Sequence, residues 1–147
     1  MEPDCTKSGG EGVKIPETSS PWRVGGLKRL FFAFLHSLEG LGAAFKHEAA
    51  FRQECVAALI LVPTALLIQI PLYAKLVLIG AVVLVMITEL LNTAVENCID
   101  YISFEKHPFA KRAKDIGSAA VFLSMAFAVL AWALVLIHYW PISFAGS

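Results

Sequence analysis

The chain has 147 residues, of which 57% are hydrophobic and 16% charged, and its formal net charge is zero. Soluble domains carry about 45–50% apolar and about 25% charged residues, so this composition excludes an ordinary soluble domain. The balanced charge does not indicate a nucleic-acid-binding protein, and three cysteines without a short metal-binding spacing argue against a disulfide scaffold or a zinc site.

The first 24 residues contain acids, glycine, proline and serine but no apolar run. This composition is typical of a flexible tail and not of a cleaved secretory signal. We therefore predict a tail over residues 1–24 and a single membrane domain over residues 25–147.

A stripe of apolar residues at helical spacing follows the tail. Its members are Leu27, Leu30, Phe31, Phe34, Leu35, Leu38, Leu41 and Phe45. The spacing predicts an amphipathic helix over about residues 26–47. Such a helix lies on a membrane surface with its apolar face down, or else packs its stripe against a protein core.

Two uncharged runs are long enough to cross a membrane. Residues 55–74 form a run of 20 and residues 116–137 a run of 22, and at about 1.5 Å per residue each matches the ~30 Å hydrocarbon layer. Between them, an apolar stretch of 13 residues is interrupted by Glu89, but the helical pattern continues to Ile102. We predict transmembrane helices over about residues 50–72, 74–102 and 114–139.

The distribution of lysine and arginine predicts the orientation of these spans, because positive residues favour the cytoplasmic side. Basic residues precede the first span and separate the second from the third, namely Lys28, Arg29, Lys46, Arg52, Lys106, Lys111, Arg112 and Lys114. The remaining loop contains only Lys75. The N-terminus is therefore predicted to be cytoplasmic and the C-terminus to lie on the opposite, periplasmic side.

Polar side chains share one face of the second predicted span. Asn92, Glu96 and Asp100 fall with Glu89 within an arc of about 80°. A carboxylate in the membrane costs about 2.5–3.5 kcal/mol on insertion scales, so it is by default a candidate for a functional site. Two alternatives are salt bridges that only fix helix packing, and a proton- or ion-conducting membrane oligomer in which Glu89 relays protons.

Cations begin the third span at the same end as the acids. They are Lys111, Arg112 and Lys114, followed by Asp115. One or two carboxylates suit Mg²⁺, which usually arrives with phosphates, and phosphoryl transfer depends on positioning and charge neutralisation. The sequence contains none of the Walker A, HRD or DFG motifs of soluble nucleotide-using enzymes.

The chain contains the segments AAFRQE (residues 49–54), ELLNTAVENCID (89–100) and RAKDIGSAAV (112–121). These segments closely resemble the prokaryotic integral-membrane diacylglycerol kinase family, and the similarity runs from about Leu27 to Trp140. The resemblance implies an all-α homotrimer in the bacterial inner membrane, with three transmembrane helices and one amphipathic surface helix per chain. It also implies Mg²⁺-dependent transfer of the ATP γ-phosphate to the hydroxyl of 1,2-diacylglycerol, which gives phosphatidic acid.

The same resemblance implies roles for individual residues. Glu89 is the implied general base, which also touches the lipid, and Asn92 is implied to orient it. The implied nucleotide-binding residues are Arg29, His36, Glu48, Glu96, Asp100, Glu105, His107, Lys114 and Asp115, with Glu48 and Glu96 also as Mg²⁺ ligands. The implied lipid-substrate contacts are Ala49, Ala50, Phe51, Arg52, Gln53, Glu54 and Ser118.

The lipid acceptor has an alternative within the sequence. The FRQE segment favours diacylglycerol, whereas HPFAKRAKD, with Pro108 and Lys111, is closer to the related undecaprenol kinases. His36 also stands where a tyrosine is frequent in diacylglycerol kinases. Undecaprenol kinase is therefore the alternative enzyme, and the ion-conducting oligomer is the alternative outside that class.

Overall fold

The computed structural model describes residues 26–102 and 107–144, with side chains to Tyr139. Within these ranges the chain is helical and has no strand, and its helices are α1 (Gly26–His47), α2 (Ala49–Leu67), α3 (Leu72–Ile102) and α4 (Pro108–Phe144). Helices α2, α3 and α4 are each long and apolar enough to cross a membrane. This confirms the predicted all-α membrane fold with three spans. The predicted tail and Glu105 lie outside the described residues.

The described residues divide into two units, one ending at Ser37 and one beginning at Leu38. In the first unit the apolar stripe of α1 is open, with Leu27 86% and Leu30 69% exposed. In the second unit the stripe continues with exposed Leu41 and Phe45, and Ala44 is buried. Within the described residues of each unit the stripe is thus exposed, as expected for a helix that lies on a membrane.

Helix α2 runs through Pro63 and ends at Leu67, five residues before the predicted end at residue 72. Pro71 explains the difference, because in a continuous helix its ring would clash with the carbonyl of the residue four positions earlier, Leu67, and it has no N–H to bond that carbonyl. Ile68 is already extended, with ψ 138°. The Lys75 ammonium donates to the Leu66 carbonyl at 2.6 Å, which satisfies one of the free carbonyls at the end of α2. Residues 68–71 therefore form a short turn between α2 and α3.

A cluster of buried apolar residues lies at the end of the bundle where α2 turns into α3. Its buried residues are Ala65, Ile70, Ala74 and Leu78. Trp132 and Val135 of α4 pack against this cluster, and the hydroxyls of Tyr73 and Tyr139 lie 2.7 Å apart across α3 and α4. This apolar end joins the three spans, and the acidic residues lie at the opposite end.

Helix α4 begins at Pro108, six residues before the predicted start at residue 114. Proline is favoured in the first turn of a helix because its missing N–H would have no partner there. The His107 imidazole Nδ1 accepts a hydrogen bond from the Phe109 backbone N–H at 3.3 Å. As a result Lys111 and Lys114 lie on a helix that packs against α3.

Candidate active site

Glu89 is a buried carboxylate on α3, with 7% of its surface exposed. The carboxylates of Glu96 and Glu48 lie within electrostatic range of it, and Glu54 lies within the same range. These acids come from the middle and end of α3 and from the start of α2, which meet because α2 and α3 are joined by a short turn. The fold therefore gathers acids from two helices around one buried carboxylate. Together, Glu48, Glu54, Glu89 and Glu96 form the acidic cluster.

A hydrogen bond links α3 to α4 next to Glu89. Thr88 Oγ1 and Ser124 Oγ lie 2.7 Å apart, and Ser124 is buried. Each hydroxyl also lies within bonding distance of a backbone carbonyl of its own helix, Val85 for Thr88 and Val121 for Ser124. Sequence reasoning missed this pair, although two hydroxyls in otherwise apolar runs were a visible signal. The bond fixes α4 against α3 at the level of Glu89.

The Asn92 side chain contacts both Glu96 of its own helix and Gly117 of α4. Its Nδ2 donates a hydrogen bond to Glu96 Oε1 at 3.0 Å. Its Oδ1 is buried without a hydrogen-bond partner and faces Gly117 of α4, where a Cβ atom would overlap it. The amide thus orients Glu96, and its implied role toward Glu89 stays a prediction. From the sequence, Gly117 is a small residue that would allow close packing or a lipid path, but no local signal shows which residue it faces.

Lys114 of α4 donates to Asp100 Oδ1 of α3 at 2.6 Å, with the two side chains 35% and 47% exposed. A second ion pair of the same length joins Lys111 to Asp115 within α4, but its side chains are 79% and 62% exposed. The Arg112 guanidinium lies 5.5 Å from the centre of the Phe109 ring. Cations of α4 therefore flank the acidic end of α3.

Glu48 occupies the break between α1 and α2. Its backbone is extended, with φ −104° and ψ 118°, and its side chain makes no capping hydrogen bond to α2. Arg52 Nη1 lies 3.2 Å from the Phe45 carbonyl and 3.1 Å from the Lys46 carbonyl. Helices leave their last carbonyls unsatisfied, and a cation stabilises that end. Arg52 therefore caps α1 and holds the segment that carries Glu48.

Glu54 opens onto an apolar cavity between α2, α3 and α4. The cavity has a volume of about 170 Å³ and is also lined by Ala57, Leu61, Val82, Val85, Met86, Met125, Ala128 and Val129. Glu54 Oε2 is buried and has no hydrogen-bond partner. Hydrocarbon fits this lining, and a polar group near it would find one carboxylate oxygen available.

The other predicted lipid contacts differ in exposure. Phe51 is buried at 3% exposure. The exposed members of this set are Ala49, Ala50, Arg52, Gln53 and Ser118. The structure thus brings Glu54 and Phe51 into the helical bundle and leaves these five on its surface.

Three residues of the predicted nucleotide set lie outside the described part of the unit that contains the acids around Glu89. Arg29 and His36 belong to the unit that ends at Ser37, which is described by itself, and Glu105 lies outside the described residues. His107 stands just before α4, with its ring stacked on Phe109 at 5.5 Å between centroids.

The donor set of the acidic cluster fits Mg²⁺ held together with phosphates. In the part of the chain that the structure describes, no three Asp, Glu, His or Cys side chains form a cluster that could hold a metal by themselves. Mg²⁺ does not require one, because it binds through one or two carboxylates, substrate phosphates and water. Glu48 and Glu96 supply carboxylates of this kind on opposite sides of Glu89 in the sequence.

Fold and site together define a helical membrane protein with a buried carboxylate, flanking acids and a lysine suited to phosphate chemistry. The family model for prokaryotic diacylglycerol kinase matches residues 35–136. The diacylglycerol kinases of Escherichia coli (strain K12) and Pseudomonas aeruginosa are 44% and 42% identical over 111 and 112 residues, 76% of this chain and 91% of each relative. That of Haemophilus influenzae is 41% identical over 115 residues, 78% of this chain and 98% of the relative.

The chain belongs to the prokaryotic diacylglycerol kinase family. This membership confirms the resemblance seen in the sequence and the prediction of a lipid kinase that uses ATP. Together with the three spans it makes the chain a bacterial membrane protein.

Proposed function

We propose that the chain transfers the γ-phosphate of ATP to the free hydroxyl of 1,2-diacylglycerol and releases phosphatidic acid and ADP. The observation that carries the proposal is the buried Glu89 carboxylate, which is close enough to Glu96 and Glu48 for their charges to interact. Lys114 lies at the same end of the bundle. The relatives named diacylglycerol kinase support the choice of acceptor.

Glu89 serves as the general base in this reaction. Its carboxylate accepts the hydroxyl proton as the lipid oxygen forms a bond to the γ-phosphorus and the bond from that phosphorus to the β,γ-bridging oxygen breaks. ADP leaves with the electrons of that broken bond. A positioned base contributes about 10²–10⁴-fold to such a rate. Burial on α3 keeps Glu89 out of water and next to the membrane region where the lipid arrives.

The nucleotide binds at the acidic end of α3. Glu48 and Glu96 would hold Mg²⁺, which when bound neutralises charge on the phosphates, and the bond from Asn92 keeps Glu96 in place. Lys114, held by Asp100, offers its ammonium to the phosphates. The family resemblance implies five further nucleotide contacts, which are Asp115, Arg29, His36, Glu105 and His107.

The lipid approaches from the side of α2. Residues 49–54 and Ser118 form its contact surface, and the cavity beside Glu54 takes part of one acyl chain. The cavity volume of about 170 Å³ holds only a short part of such a chain, so the rest remains in the bilayer. The apolar cavity beside Glu54 supports a lipid acceptor over a water-soluble one.

The active unit is a homotrimer in the inner membrane with the N-terminus cytoplasmic and the C-terminus periplasmic. Large apolar side chains are exposed along all three spans, among them Leu59, Leu76 and Phe122. Lipid and neighbouring subunits cover such surfaces in a membrane. One chain of three spans does not enclose both substrates, so the site forms between subunits, and the exposed stripe of α1 lies on the cytoplasmic surface.

The test is phosphate transfer from labelled Mg-ATP by the purified chain in mixed micelles, with diacylglycerol and undecaprenol offered side by side. We expect turnover of diacylglycerol, and Glu89→Gln should lower kcat by about 10²–10⁴-fold because the base is lost. Glu39→Gln on α1 is the matched control and should leave kcat unchanged.

Two results would contradict this proposal. Transfer to undecaprenol alone would place the chain with the undecaprenol kinases. Transfer to neither lipid by folded protein, together with nucleotide-free proton flux in proteoliposomes that Glu89→Gln abolishes, would favour the ion-conducting oligomer.

A further inference from the structure

Gly117 of α4 lies directly against Asn92 of α3. A Cβ atom placed on Gly117 would overlap Asn92 Oδ1 and lie 3.3 Å from its Cγ and 3.8 Å from its Cα. At Gly42 and Gly80, by contrast, a Cβ atom meets nothing within 4 Å. A side chain at position 117 therefore conflicts with a specific neighbour, which is the amide of Asn92.

The conflict falls on the end of the Asn92 side chain and not on the helix backbone. A distance of 3.8 Å to the Asn92 Cα is ordinary van der Waals contact, so α3 and α4 can keep their packing. The amide has to rotate instead, because Oδ1 is buried against Gly117. Rotation pulls Nδ2 away from Glu96 Oε1, to which it now donates at 3.0 Å. A methyl group at position 117 thus releases the Glu96 carboxylate.

We propose that Gly117 is a positioning residue that acts through Asn92 to hold Glu96 for the metal-bound nucleotide. The absence of a side chain on α4 gives the Asn92 amide its place, and the amide gives Glu96 its orientation. The inference rests on the proposed function, in which Glu96 contributes to holding Mg²⁺ with the ATP phosphates. It assigns a functional reason to a glycine that is outside the sets of residues proposed to contact the nucleotide or the lipid.

The test is a double-mutant cycle on nucleotide binding by the full chain in micelles. Kd for the Mg²⁺ complex of a non-hydrolysable ATP analogue is measured by titration calorimetry for wild type, Gly117→Ala, Asn92→Ala and the double variant. We expect Gly117→Ala to weaken binding about tenfold in wild type and less than about twofold in the Asn92→Ala background, because contacting residues couple. Gly80→Ala should bind like wild type.

Steady-state kinetics adds a readout that general destabilisation would not move selectively. Gly117→Ala should raise KM for Mg-ATP and leave KM for the lipid acceptor unchanged. An equal loss of nucleotide affinity in the wild-type and Asn92→Ala backgrounds would overturn the inference, since Gly117 would then act through helix packing. Wild-type affinity in Gly117→Ala would overturn it as well.

Circular dichroism and size-exclusion chromatography show whether each variant folds, so the test remains decisive if Gly117→Ala does not fold. A double variant that folds and binds like Asn92→Ala would then still support the inference, whereas a double variant that also fails to fold would overturn it. Because the binding readout does not involve the lipid, it separates the two proposals. Wild type that binds the analogue but makes no phosphatidic acid contradicts the acceptor alone.

Discussion

Asp100 and Lys114 join the end of α3 to the start of α4 through an ion pair in which Nζ and Oδ1 are 2.6 Å apart. Both side chains are more than one-third exposed, and exposed ion pairs contribute at most about 1 kcal/mol to stability. The pair therefore matters mainly for where it holds the ammonium group, next to the acidic face of α3.

Replacing Lys114 should impair nucleotide use more than stability. We expect Lys114→Met to raise KM for Mg-ATP by about tenfold or more, since charge-assisted hydrogen bonds are worth about 1.5–3 kcal/mol, and to lower the free energy of unfolding by no more than about 1 kcal/mol. Steady-state kinetics and denaturant unfolding measure the two effects. Lys111→Met removes a pair of equal length on the outer side of α4 and is the matched control. An equal rise in KM for both variants would contradict a specific role for Lys114.

Ser124→Ala should destabilise the bundle without a change in nucleotide affinity. The variant removes the 2.7 Å bond to Thr88, and bonds between membrane helices contribute about 0.6 kcal/mol on average and up to about 1.7 kcal/mol. Unfolding in mixed detergent measures the loss, with Ser37→Ala as control because the Ser37 hydroxyl donates to the Ala33 carbonyl of its own exposed helix. In a double-mutant cycle, Thr88→Val should then lower the free energy of unfolding less in the Ser124→Ala background than in wild type. Strict additivity would show that the two hydroxyls do not interact.

Arg52→Gln should loosen the last turn of α1. The guanidinium bonds to the Phe45 and Lys46 carbonyls are lost, and helix-end interactions of this kind are worth about 0.3–1 kcal/mol. Hydrogen exchange of a peptide covering residues 41–48 should become about two- to fivefold faster, in line with that free energy. Gln53→Ala, one residue along the same helix, should leave this exchange unchanged. Unaltered exchange combined with a higher KM for diacylglycerol would show that Arg52 serves the lipid and not α1.

Ala128→Leu should selectively weaken binding of the lipid acceptor. The larger side chain fills part of the 170 Å³ cavity beside Glu54, which the acyl chain is proposed to enter. One lost methylene contact is worth about 0.8 kcal/mol, so a rise of about fourfold in KM for diacylglycerol is expected. KM for Mg-ATP should not change. Ala126→Leu, at an exposed position of the same helix, is the control, and equal effects of the two variants would place the acyl chain elsewhere.

Much of the fold could be predicted from the sequence because its signals are local. Membrane spans follow from the length of apolar runs, and the shared face of Glu89, Asn92 and Glu96 follows from helical periodicity. Errors occurred at helix ends, where Pro71 ended α2 early and Pro108 started α4 early. Each proline changes the backbone over only a few residues, which a hydropathy pattern averages out.

By itself, the sequence determined that the chain crosses a membrane, which acids share the face of its second span, and which family it resembles. Only the tertiary structure decided that Gly117 faces Asn92, that Ser124 bonds Thr88, and that Glu54 opens onto a cavity. These contacts join different helices, so they depend on the offset and rotation of one helix against the next. That register is set by the packing of all the side chains between the helices and is not contained in any one segment.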